Sequence, residues 1–129
     1  MKSILFLLFF TSLLFSQALS WRGEYDKAHQ EALRRHKPLL VLVVKKDDAK
    51  IREVLRNVFM NQSYIEALNE KVVAVMATYE GGSSYPIELY YTTRFPALFL
   101  VDEREVFLTK PIYSDEITAN RIQALLELL

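Results

Sequence analysis

The 129-residue sequence contains no cysteine. That excludes disulfide staples, thiolate nucleophiles, sulfur-ligated zinc and thiol–disulfide exchange, because each needs an ionisable sulfur. Glycine and proline are scarce, at three and four residues, which excludes collagen-like and Pro/Gly-rich low-complexity architectures. Neither charge sign is in excess, since 16 Lys and Arg face 16 Asp and Glu. A nucleic-acid binder would carry a basic surplus or stripe. There is no glycine-rich phosphate loop, no G-x-S-x-G turn and no H-x-x-x-H pair. The two histidines, His29 and His36, are too far apart on one helix to share a ligand, because the i+3 and i+4 positions after His29 hold Ala32 and Leu33. They are expected on the surface, and no metal and no cofactor is expected.

One long apolar run is present, Ile4 to Phe15, with Lys2 before it and small residues among Ser16 to Ser20 after it. The run is shorter than the roughly 20 residues that span a bilayer, and its layout is that of a secretory signal. Residues 1–20 therefore read as a signal peptide, cut after Ala18 or after Ser20, and 21–129 as one domain. The competing reading is an uncleaved membrane anchor. The region after residue 20 keeps every charge except Lys2 and so carries one net negative charge. Export to a periplasm is the leading expectation, with secretion as the alternative. Small exported domains often rely on disulfides, whereas this one must hold itself by its core alone.

The mature region alternates element types. Trp21 to Arg35 places Tyr25, Ala28 and Ala32 at helical spacing, which predicts an amphipathic helix. Leu39 to Val44 is a continuous aliphatic run, suited to a strand buried on both faces. Ile51, Val54, Leu55 and Val58 recur at i, i+3, i+4 and i+7 and predict a second helix, which Asp47 or Asp48 can cap. A short helix around Ser63 to Leu68 leads to a second buried strand, Val72 to Ala77. Gly81 to Ser84 reads as a loop, and Pro86 opens a short helix through Tyr91. Ala97 to Val101 and Val106 to Leu108 read as a hairpin. Ser114 is expected to cap a last helix that buries Ile122, Leu125, Leu126 and Leu129. Strands alternating with helices and closed by a hairpin and a helix predict a three-layer α/β/α sandwich around a mixed sheet of about four strands.

Three stretches in this order resemble the thioredoxin-like superfamily, and most closely its exported members, such as the soluble domains of disulfide reductases and the anterior-gradient-like proteins. Trp21, Tyr25, Ala28 and Ala32 followed by Lys37-Pro38-Leu39-Leu40-Val41 resemble the first helix and strand entry. Arg52 to Phe59, then Asn61 to Leu68, resemble the active-site helix and the segment after it. Arg94-Phe95-Pro96-Ala97-Leu98-Phe99-Leu100-Val101-Asp102 resembles the segment bearing the cis-proline. The resemblance implies that the paired cysteines of that superfamily fall here on Asp48 and Ile51, or one residue later on Ala49 and Arg52. Neither placement offers a thiol.

The resemblance also implies a cis Phe95–Pro96 bond beside a groove where the backbone of Phe95 could pair with an extended peptide. Tyr79, Tyr85, Tyr90 and Tyr91 cluster with Phe95 ahead of Pro96 and together supply apolar area with hydroxyls, which suits such a contact; taken singly, each is better read as covering the edge of the core. The leading expectation is a non-catalytic exported domain that binds a protein or peptide partner through Asp48, Ile51, Tyr85, Phe95 and Pro96. A structural or assembly protein whose groove is filled by Tyr90, Tyr91 and Ile51 is the alternative, and an enzyme of non-thiol chemistry the third reading.

Overall fold

The computed structural model describes residues 17–80 and 84–129. Most of the expected signal segment (residues 1–16) and most of the Gly81–Ser84 loop (residues 81–83) lie outside the described residues.

The elements follow the order β1 (Trp21–Arg22), α1 (Tyr25–Arg35), β2 (Leu39–Lys45), α2 (Lys50–Val58), α3 (Ile65–Lys71), β3 (Val73–Tyr79), β4 (Ala97–Val101), β5 (Ile112–Tyr113), a 3₁₀ turn (Ser114–Glu116) and α4 (Ala119–Glu127). The sheet order is β1-β3-β2-β4-β5. β3 runs parallel to β1 and β2, while β4 is antiparallel to β2 and β5. The sheet thus has five strands rather than about four.

Side chains alternate across a strand, so β2 divides its aliphatic run between two cores. Leu40, Leu42 and Val44 face a cluster built with Val58, Phe59, Ile65, Leu68, Ile122 and Leu125 from the α2, α3 and α4 side. Leu39, Val41 and Val43 face Tyr25, Ala28 and Ala32 of α1. Ala28 and Ala32 are fully buried, and their small side chains let α1 lie close against the sheet. Each large aliphatic side chain buried in this way contributes about 1.5–3 kcal/mol.

Four expectations about element boundaries and caps are corrected. Trp21 and Arg22 do not open α1; they form an edge strand paired with Ala74 and Val75, and the Trp21 ring packs edge-on against Phe59 at 5.1 Å. Pro86 starts only a turn, in which Leu89 and Tyr90 both donate to its carbonyl. Val106 to Leu108 makes a single bridge to β4, through Phe107 and Val101, and the outer strand that pairs with β4 is the two-residue β5. Finally, α4 is capped by Thr118, whose hydroxyl accepts from the Arg121 N–H at 3.3 Å, while Ser114 opens the 3₁₀ turn.

His36 is exposed, as expected, at the left-handed C-terminus of α1. His29 is not: its ring sits between α1 and the 102–105 turn, 2.8 Å from the Glu103 carbonyl.

Candidate partner-binding groove

The loop from β2 into α2 turns through Asp47, whose φ of 63° lies in the left-handed region. Aspartate tolerates that conformation better than most residues. Asp48 then donates its N–H to the Lys45 carbonyl at 3.2 Å and accepts the Lys50 N–H on its carboxylate at 3.0 Å. The Asp48 carboxylate thus takes one of the free amide donors at the start of α2, whose N-cap is Ala49, where the helix field favours negative charge.

The cis Phe95–Pro96 bond precedes β4. Both sides of it are pinned. The Thr92 hydroxyl accepts the Arg94 N–H at 3.0 Å and donates to the Arg94 carbonyl at 2.8 Å. The Pro96 carbonyl accepts the Ser114 N–H at 2.7 Å. Arg94 lies over the Tyr113 ring at 5.1 Å and 3.7 Å from Glu116. Between these anchors, the N–H and C=O of Phe95 have no hydrogen-bond partner among the described residues.

Pro96 lines a cavity of about 340 Å³ between α2 and the 114–119 segment. Val54, Val58, Pro96, Ile117 and Ala119 form its apolar lining, and Lys50, Glu53, Asn57, Ser114, Asp115 and Thr118 supply the polar groups. Lys50 spans the rim, donating to the Ser114 hydroxyl at 3.3 Å and lying 3.8 Å from Asp115. Both charged partners are exposed, so this strap is weak and easily displaced.

The site residues expected from sequence do not all share this cavity. Asp48 and Ile51 line a separate depression with Asp47, Ala49 and Arg52, and the two have no lining residue in common. Phe95 and Tyr85 pack against the α1-side core. Phe95 lies 5.3 Å from Tyr79 between ring centroids, and burial, followed by the neighbouring Tyr79, pushes the Tyr85 hydroxyl pKa up.

The other tyrosines separate as well. Tyr91 is 65% exposed, whereas Tyr90 is fully buried. The Tyr90 hydroxyl lies 2.6 Å from that of Tyr25, which donates to Glu105 at 2.6 Å. Burial pushes Tyr90 up to about 12 despite the opposing bond from Tyr25, and pushes Tyr25 up further with help from Glu105. Both phenols stay neutral, and the network fastens α1 to the segment before β4.

Val54 and Val58, whose spacing predicts only a core stripe on α2, also line the cavity. Their i, i+4 spacing was the available signal. Ile117 and Ala119, the opposite wall, carry no local signal for it. Among the described residues, no group of three or more His, Asp or Glu could hold a metal ion, and no helix is long and apolar enough to cross a membrane.

No protein-family model matches the chain, and no curated protein does. Among solved structures, a DsbH oxidoreductase superposes with a TM-score of 0.61 at 16% identity, over 88% of this chain and 85% of that one. The chain has a thioredoxin-like fold. A disulphide isomerase from Xylella fastidiosa Temecula1 matches at a TM-score of 0.48 and 19% identity, over 84% of this chain and 92% of that one. The thioredoxin-like scaffold is here without any cysteine, so thiol–disulfide chemistry is closed to this chain.

Proposed function

We propose that this thioredoxin-like domain is exported, non-catalytic, and binds an extended protein or peptide partner beside Pro96. The observation that carries the reading is the unpartnered backbone of Phe95 next to a cavity with an apolar lining. An extended segment could pair with the Phe95 N–H and C=O as an added strand, while one of its apolar side chains enters between Val54, Val58 and Ile117. Lys50, Glu53 and Asp115 would form the polar surround usual at such interfaces. The filled-groove alternative is less well supported, because Tyr90 is in the α1-side core and neither tyrosine lines the cavity.

One observation favours an assembly role through another surface. Val106, Phe107 and Leu108 are exposed in succession, at 57%, 43% and 43%, along the β4 edge. A cross-linking pull-down from the exported fraction separates the two. Val54→Arg should reduce capture about tenfold or more, the equivalent of one buried anchor lost, while Phe107→Asp leaves it intact. Capture lost with Phe107→Asp and retained with Val54→Arg would contradict the groove reading and favour the assembly role.

A further inference from the structure

Two bonds satisfy the small-residue pattern read by signal-type peptidases: Ala18–Leu19, after Ser16 and Ala18, and Ser20–Trp21, after Ala18 and Ser20. The fold distinguishes them. Leu19 is only 4% exposed and belongs to the core cluster on the α2 side of the sheet. Its N–H donates to the Phe59 carbonyl at 3.0 Å. The Ser20 N–H donates to the Asn69 side chain at 2.8 Å, and the Ser20 carbonyl accepts from Arg22 at 2.6 Å. A chain beginning at Trp21 would lack a core leucine and all three hydrogen bonds.

A chain beginning at Leu19 keeps all of them, because the new terminal amino group can still donate to Phe59. It gives up only exposed contacts of Gln17 and Ala18 with Asn61 and Asn69. We infer that the Ala18–Leu19 bond is the processing site and that Leu19 is the first residue of the mature protein. This inference rests on the secretory-signal reading of residues 1–20. Water adds across the amide as the C–N bond breaks; Ala18 departs with the new carboxylate, and Leu19 keeps the amino group and takes up a proton. In the folded chain Ala18 bridges Met60, so the peptidase of the export route must cut before this strand docks.

The test is intact mass and N-terminal sequencing of the exported protein made from the full Met1–Leu129 chain, read after denaturation so that folding does not affect the result. Leu19 is expected as the first residue. Ser16→Glu, which spoils only the Ala18 site, should cause unprocessed chain to accumulate. Ser20→Leu, which spoils only the Ser20 site, should leave the Leu19 terminus unchanged. A terminus at Trp21 or Gln17, or processing lost with Ser20→Leu, overturns the boundary while leaving the secretory signal standing. Intact Met1 in the membrane fraction overturns the signal reading and the boundary with it.

Discussion

Glu31 shows most clearly how one residue ties a minor strand to the rest of the molecule. Its carboxylate receives the Arg22 guanidinium through two bonds, at 3.0 and 2.7 Å, and Arg35 at 2.6 Å. Arg22 lies on β1 and Arg35 at the end of α1, so the triad links the edge strand to the helix covering the sheet. The bond from Arg22 does most to lower the Glu31 pKa, to about 2 from its usual 4.5; partial burial opposes the shift and Arg35 adds to it. The unfolded chain therefore binds the proton first as pH falls. Stability from this group is complete above about pH 4.5 and is lost as pH drops towards about 2. Glu31→Gln should cost about 1 kcal/mol at neutral pH, a modest value suited to a partly solvated pair. Thermal melts from pH 7 to pH 2 should show the variant's deficit closing through that window. A deficit independent of pH would mean that packing, and not the charge, was lost.

At the scale of elements, the legible parts of the sequence were those with a repeat to read. The β2 run and the α2 stripe were recovered almost to the residue, because many apolar side chains enforce one period. The two-residue strands were not, since β1 and β5 are too short to show alternation and exist only because β3 and β4 offer partners distant in sequence. Trp21 happens to continue the helical spacing of Tyr25, Ala28 and Ala32, which hid β1 inside the helix expected from Trp21 to Arg35. The site divides in the same way. Asp48 was legible as a helix-start residue, but the walls of the cavity come from α2 and the 114–119 segment, which only the fold brings together. The start of α2 gives a direct test of the cysteine register implied by the resemblance. Asp48→Cys with Ile51→Cys should form an internal disulfide under mild oxidation, because positions 48 and 51 share one turn, with the Ile51 N–H 3.4 Å from the Asp48 carbonyl. Mass spectrometry of the alkylated double variant reads the outcome. Two free thiols after oxidation would show that the superfamily's pair does not map onto these positions.

For the whole molecule, a thioredoxin-like scaffold without thiols keeps a packed two-sided sheet and a Phe95 backbone with no partner among the described residues. Binding at the groove is then the central claim, and amide hydrogen exchange measures it directly. The free chain should exchange its Phe95 N–H rapidly, because that group has no partner among the described residues. An extended peptide selected from a random library against the full chain should slow exchange at Phe95 by about tenfold or more, the factor set by saturating the added strand pairing. Chemical-shift changes should accompany it at Lys50 and Val54, while the Val106 to Leu108 amides stay unaffected. Protection appearing at Val106 to Leu108 with Phe95 unchanged would contradict the account.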